Sequence, residues 1–324
     1  MYNLSLTTCS FYLKKSNSKT IDGVYFLNDE IINMDKDGNC ITTTIDEMFI
    51  SFSENYRDSI NDENIQKTFS CEYIKENNFN NEKYKFLTFK ITSGYYGNAG
   101  NINNVETKEH KYTISPDDAV ERDYYMFVVI PKDNDSVHVN KGLLIFQNIS
   151  IFGVKTITTD LIRDFFSSNY NITLICANIA PKLFVDRILK KDNLKQMIMI
   201  KNHKSSLDTD NYDYGYGVES RIISKISFSD KLWESTLNKI NDFINGKVNL
   251  YEFRNENYDK LKLKVDIGGR TRTIDLQNID NLSVIESIPD EIKDTDGNAN
   301  IKKLISFIKN LIIDYMKEMV LEMK

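Results

Sequence analysis

Gly268 and Gly269 stand between two runs in which side-chain character alternates residue by residue, Lys260 to Ile267 and Arg270 to Leu276. A glycine pair tolerates positive φ, so a two-residue turn there folds the runs back on one another. The register that follows sets Ile267 opposite Arg270, Val265 opposite Arg272, Leu263 opposite Ile274 and Leu261 opposite Leu276, all on one face. Lys262, Lys264 and Asp266 meet Asp275, Thr273 and Thr271 on the other. The first face is hydrocarbon at its base and ends at the tip in two arginines. Burying unpaired guanidinium groups is costly, so the tip is expected to stand clear of the core. Arg270 and Arg272, with Lys264 nearby, would then read an anion such as phosphate. The plainer alternative is a hairpin end kept charged to blunt edge pairing.

Around this hairpin the chain predicts an α+β fold. The β-rich N-terminal region is expected over residues 1–115, and a mixed α/β region over 116–324, closed by a long C-terminal amphipathic helix. Tyr2 to Leu13 and Gly23 to Leu27 suggest strands, and Asp37-Gly38 is a hairpin signal. Lys83 to Ile91 suggests a strand buried on both faces. Glu54 to Gln66 is polar, as in a short surface helix or a loop. Ser93 to Asp118 carries Gly94, Gly97, Gly100 and Pro116 with little apolar content, and so marks a candidate boundary. Beyond it, Tyr124 to Ile130, Leu143 to Ile149, Ile172 to Ile179, Lys195 to Ile200 and Arg221 to Phe228 have strand length. Thr158 to Phe166 and Asp230 to Ile244 have helical spacing, and Pro181 is placed to open another helix. Ile301 to Lys324 carries an unbroken apolar stripe with Asn300 as its cap. Such a helix docks on its own domain or, through Ile301 to Met319, on a second copy of the chain in a homo-oligomer.

Composition narrows the function classes. The apolar fraction of 41% is ample for a core, which excludes global disorder. A net charge of −6 argues against coating nucleic acid by overall charge, although not against one local basic surface. Cys9, Cys40, Cys71 and Cys176 form no CxxC pair, and His110, His138 and His203 are scattered, so a zinc centre is not indicated. Four reduced thiols suit a reducing compartment. With no apolar run of about 20 residues and no signal-peptide pattern at the start, no membrane association is expected and a cytoplasmic location is. The Asn-, Lys- and Ile-rich, Pro-poor composition fits a low-GC bacterium or its phage.

Two Tyr/Gly segments are further candidates. Ser93 to Asn101 presents Tyr95 and Tyr96, and Tyr212 to Gly217 presents Tyr214 and Tyr216. Flexible backbone with exposed aromatics can stack on bases or contact a partner protein, whereas packing of the rings over loop ends is the structural alternative. Neither segment has the pattern of a P-loop or a dinucleotide fingerprint. Asp208, Asp210 and Asp213 precede Glu219 over the length of an EF-hand loop. Tyr212 and Asp213, however, occupy positions where that loop needs a ligand and a glycine. No cofactor is predicted, although two of these carboxylates could hold magnesium or manganese. A metal-dependent nuclease would draw on such a site, with Glu82 to Lys85 and Glu252 to Arg254 as the acidic–basic segments to inspect.

Three functions follow as expectations. The first is a non-enzymatic recognition or regulatory accessory protein that binds nucleic acid or a partner protein, with bacterial antiviral defence as a setting the composition fits. The alternatives are a metal-dependent nuclease and a structural oligomeric subunit.

Overall fold

A computed structural model describes residues 4–16, 23–34, 40–133, 138–150, 152–179, 194–203, 217–224, 230–244, 248, 251–253, 256–267, 270–276 and 285–322. The chain begins with β1 (Leu4–Lys15), β2 (Ile31–Met34), β3 (Cys40–Thr43), α1 (Ile45–Asn55), β4 (Ile60–Asp62), β5 (Lys67–Tyr73) and β6 (Phe79–Asn80). There follow β7 (Tyr84–Tyr95), β8 (Gly100–Asn103), β9 (His110–Ile114), β10 (Val120–Pro131), β11 (Gly142–Ile149), β12 (Phe152–Gly153), α2 (Lys155–Tyr170) and β13 (Ile172–Asn178). Then come β14 (Leu194–His203), β15 (Gly217–Ser224), α3 (Asp230–Ile244), β16 (Tyr251–Phe253), β17 (Glu256–Tyr258), β18 (Lys260–Ile267), β19 (Arg270–Asp275), β20 (Ile285–Ser287) and α4 (Ile301–Glu322). The chain is a sheet-rich mixed fold with a long C-terminal helix.

Two compact units divide it: unit 1 is Met1–Ala177 with Ile288–Met319, and unit 2 is Asn178–Ser287 with Val320–Lys324. The division expected near residue 115 falls inside unit 1. There β7 pairs with β10 from Tyr84↔Pro131 to Tyr95↔Val120, which joins residues from both sides of that position in one ladder. The glycine-rich stretch between them turns back on itself as the exposed hairpin β8–β9.

Unit 1 is built on a sheet in the order β13-β1-β11-β10-β7-β5-β4. Its odd-numbered β1 and β7 positions face one helix pair. Phe11 and Phe89 meet Phe49 of α1, at centroid distances of 5.6 and 6.4 Å, and Phe49 meets Phe166 of α2 at 5.2 Å. Helix α1 starts at a capping box, in which Thr44 is the N-cap and Glu47 accepts the Thr44 backbone N–H at 2.8 Å. Its Ile45, Met48, Phe49 and Phe52 fall at helical spacing and are buried. Helix α2 ends at Asn171, whose φ of 51° takes the left-handed conformation that closes a helix. The opposite face carries Phe79 stacked on Phe86 at 4.7 Å and Phe86 on Phe127 at 5.5 Å. There Lys309 of α4 holds its ammonium 4.2 Å from the Phe79 ring centroid. Leu304, Ile308, Ile312 and Tyr315 of α4 are buried, so the helix spends this part of its stripe on its own chain. Asn300 caps it through an Oδ1 contact from the Lys303 N–H at 3.2 Å.

Unit 2 carries a four-stranded antiparallel sheet in the order β15-β14-β18-β19. The alternation read from the sequence decides its faces. Met197, Met199, Leu261, Leu263, Val265 and Ile274 are all nearly inaccessible. Ile240 of α3 and the β16–β17 residues Tyr251 and Tyr258 are buried too, with the Tyr251 hydroxyl 3.8 Å from the Met197 sulfur. Burial pushes the Tyr251 phenol well above its usual range.

Several expectations change. Gly23 to Leu27 is no strand; Val24 makes one isolated bridge to Lys14. Residues 45–55 form a helix in a stretch that is given no element from the sequence. The proposed helix after Pro181 and the turn at Asp37-Gly38 lie outside the described residues, although β2 and β3 do pair across the latter, Met34 with Cys40.

Candidate functional site

Two places in the molecule gather the charged and aromatic residues singled out from the sequence, one in each unit. In unit 1 the β10–β11 ladder runs only from Met126↔Phe146 to Val129↔Leu143. At the next step the Tyr125 N–H donates to the Gln147 side-chain Oε1, at 3.1 Å. The buried Gln147 thereby takes over from the backbone and the strands part. β10 stays with β7, while β11 takes the two-residue strand β12 instead, Asn148↔Gly153 and Ile149↔Phe152.

One side of this parting is a cleft of about 490 Å³ lined by Thr92, Asp123, Tyr125, Gln147, Asp294 and Asn298, among others. Two of its carboxylates, Asp123 and Asp294, are engaged. Asp123 accepts Thr92 Oγ1 at 2.7 Å and pairs with Lys90 at 2.9 Å. Asp294 accepts the backbone N–H groups of Asp296 and Asn298, which forms the turn before the last helix. Burial raises the Tyr125 phenol, with Lys90 acting against it.

Beside the cleft, which Arg122 also lines, cations meet aromatic rings. Lys67 holds its ammonium 4.4 Å from the Tyr95 centroid and donates to the Gly153 carbonyl at 3.3 Å. Arg122 sits 4.7 Å from the Phe152 centroid, and Tyr95 and Phe152 are 6.3 Å apart. The row Lys67–Tyr95–Phe152–Arg122 pins β12 between its neighbours. Tyr95 is 47% exposed, but Lys67 covers one face of its ring. Tyr96 donates its hydroxyl to the Asp62 carbonyl at 3.3 Å. Both tyrosines therefore contribute to structure here. Replacing Lys67 with Met keeps the stem and removes the charge, and is expected to cost about 1 kcal/mol. Urea denaturation of the wild type and the variant measures it.

The glycines of this segment are structural as well. A Cβ on Gly94 would stand 2.5 Å from the Val120 carbonyl oxygen, and Gly97 adopts φ +94° while its N–H reaches the Pro116 carbonyl at 2.7 Å. The first Tyr/Gly segment is thus the end of β7 and a tight turn. Of the second, residues 212–216 lie outside the described residues, and Tyr214 and Tyr216 with them.

In unit 2 the hairpin forms with the expected register: Ile267↔Arg270, Val265↔Arg272, Lys264↔Thr273 and Lys262↔Asp275. Arg270 and Arg272 occupy strand positions on the face that carries Val265 and Leu263; their side chains lie outside the described atoms. The opposite face holds the larger signal. Lys260, Lys262 and Lys264 take alternate positions on the inner strand β18, beside Ile200, Ile198 and Gln196 of β14. Across β14 come Ser220, Ile222 and Ser224 of β15, and Ile222 is 58% exposed. By register the carboxylates on this face are Asp266, opposite Thr271, and Asp275, 3.7 Å from Lys262. Three lysines against two carboxylates, on a solvent-facing sheet, leave a cationic row whose members stand about 7 Å apart along the strand. Sequence reasoning named Lys264 alone as a ligand-binding lysine. The period-two spacing of Lys260, Lys262 and Lys264 was the available signal, and attention to the hairpin tip hid it.

Asp208, Asp210 and Asp213 lie outside the described residues. Among the described residues no group of three or more His, Cys, Asp or Glu side chains is placed to share a metal ion. Lys85 pairs with Asp46 at 3.0 Å and Glu252 with Lys239 at 3.5 Å, so these members of the inspected acidic–basic segments form ion pairs. No helix among the described residues is long and apolar enough to cross a membrane. The chain matches no protein-family model and no curated protein.

Proposed function

We propose that this protein is a recognition protein for single-stranded nucleic acid, gripped through its phosphates by the lysine row of the unit 2 sheet. The observation that carries the reading is the alternation of Lys260, Lys262 and Lys264 on the solvent side of β18. A sheet face suits an extended strand lying across it, and lysines contact phosphates as point charges without reading bases. That face offers Ile198, Ile200 and Ile222 rather than aromatic rings at the central positions, so the binding is tolerant of sequence. Arg270 and Arg272 take positions on the opposite face of the hairpin by register and are not part of this row.

Fluorescence anisotropy with a labelled single-stranded oligonucleotide tests this. Replacing Lys260, Lys262 and Lys264 together with glutamate is expected to abolish the signal. The same reversal at Lys108 and Lys111, on the unit 1 hairpin, is expected to leave it. Equal loss from both sets would reduce the effect to net charge and overturn the assignment. Cleavage of the oligonucleotide on addition of magnesium would overturn the non-enzymatic part of the reading and favour the nuclease.

A further inference from the structure

We propose that Cys9 and Cys176 form a hydroperoxide-reactive dithiol that closes to a disulfide at the outer edge of the unit 1 sheet. The pairing of the outer strand β13 with β1 brings them together. The Ser16 N–H donates to the Asn171 carbonyl at 3.1 Å, and Ser10 Oγ donates to the Ala177 carbonyl at 3.3 Å, so the strands run antiparallel. On that register Cys9 and Cys176 share the face under α2, and their thiols share a hydrogen bond. Cys9 is fully buried and Cys176 half-buried.

Helix α2 supplies the charge above them. Arg163 lies over β13, with its Nε 3.4 Å from the Leu174 carbonyl and its Nη1 2.7 Å from Asp160. Lys155 opens the same helix. The hydrogen bond from Cys9 lowers the Cys176 thiol, and Arg163 and Lys155 act in the same direction, while burial and Asp160 oppose them. The same hydrogen bond and burial raise Cys9. These environments assign two roles. The thiolate is the nucleophile in thiol chemistry, so Cys176 attacks and Cys9 resolves.

The step balances with a hydroperoxide as oxidant. The Cys176 thiolate attacks the terminal peroxide oxygen, the O–O bond breaks, and the departing alkoxide or hydroxide takes up a proton. Cys176 is left as a sulfenic acid. The Cys9 sulfur then gives up its proton and displaces hydroxide from the Cys176 sulfur, which forms the S–S bond and releases water. Two thiols are oxidised and one peroxide is reduced. Closure needs the sulfurs to approach to about 2.05 Å. Among the described residues, β13 is paired within its sheet on one side alone, so closure needs to shift a strand held there by β1 only.

Hydrogen peroxide treatment of the full chain, followed by alkylation under denaturing conditions and peptide mass mapping, tests the proposal. The expected result is a reducible link between the Cys9 and Cys176 peptides, with both lost from alkylation and the buried Cys71 still alkylated. With Cys176→Ser, Cys9 is expected to stay alkylatable after peroxide. With Cys9→Ser, Cys176 is expected to stop at a sulfenic acid that dimedone captures. A wild-type chain in which Cys176 oxidises singly while Cys9 remains free, or in which the links formed run to Cys40 or Cys71, overturns the proposal.

Discussion

Phe49→Ala is expected to lower the stability of unit 1 by about 4 kcal/mol, the range for emptying an aromatic site in a core. Phe49 is fully buried and touches all three parts of that layer. Its ring lies 5.6 Å from Phe11 and 6.4 Å from Phe89 on the sheet, and 5.2 Å from Phe166 on α2. Truncation leaves a void shared by two helices and two strands, none of which can close it without losing its other contacts. A domain typically has about 5–15 kcal/mol in hand, so the variant is expected to stay folded at low temperature and to melt about 10 °C early. Differential scanning calorimetry reads the unit 1 transition. A shift of a degree or two would mean that the aromatic layer is not packed as described.

Gly94→Ala is expected to cost about 3 kcal/mol by a different mechanism. The new methyl carbon would meet backbone, the Val120 carbonyl oxygen at 2.5 Å and the Glu121 Cα at 2.7 Å. A rotamer change cannot relieve such a contact, so β7 and β10 must separate at the point where β10 has already left β11. Thr68 bonds the Gly94 N–H through its Oγ1 at 3.0 Å, and this contact would be strained as well. The comparison with Gly100→Ala is decisive, because the nearest atom there is an Ile114 methyl at 3.9 Å. Urea midpoints are expected to fall for the first variant and hold for the second.

How far the fold could be read from the sequence depended on how local the deciding forces were. The β18–β19 register was legible in full, because a two-residue turn and strict alternation leave one pairing that keeps Leu261, Leu263, Val265 and Ile274 together. Asp230 to Ile244 and Ile301 onward were legible from helical spacing alone. Helix α1 was missed although Thr44 and Glu47 carry a capping-box signature, because Phe and Ile between polar residues also suit a strand. The boundary near residue 115 misled for a physical reason. Gly94 and Gly97 serve a close strand approach and a positive φ, which in composition look like a linker.

Long-range pairing was beyond reach. Nothing near Leu4 to Lys15 announces that its partners are Gly142–Ile149 on one side and Ile172–Asn178 on the other. The Cys9–Cys176 contact depends on that pairing and has no sequence signal of its own. The candidate site was half legible. Lys264 and the hairpin were seen, while Lys260 and Lys262 as members of one exposed row required knowing which face of β18 the core claims.

Salt dependence tests the lysine row most directly. Each phosphate neutralised on a single strand contributes a slope of about −0.7 to a plot of log Kobs against log salt concentration. Three lysines on three phosphates give a slope of about −2 for the wild type and close to zero for the variant with Lys260, Lys262 and Lys264 replaced by glutamine. A wild-type slope near zero, or one that the glutamine variant keeps, would contradict the claim that this sheet face holds the nucleic acid.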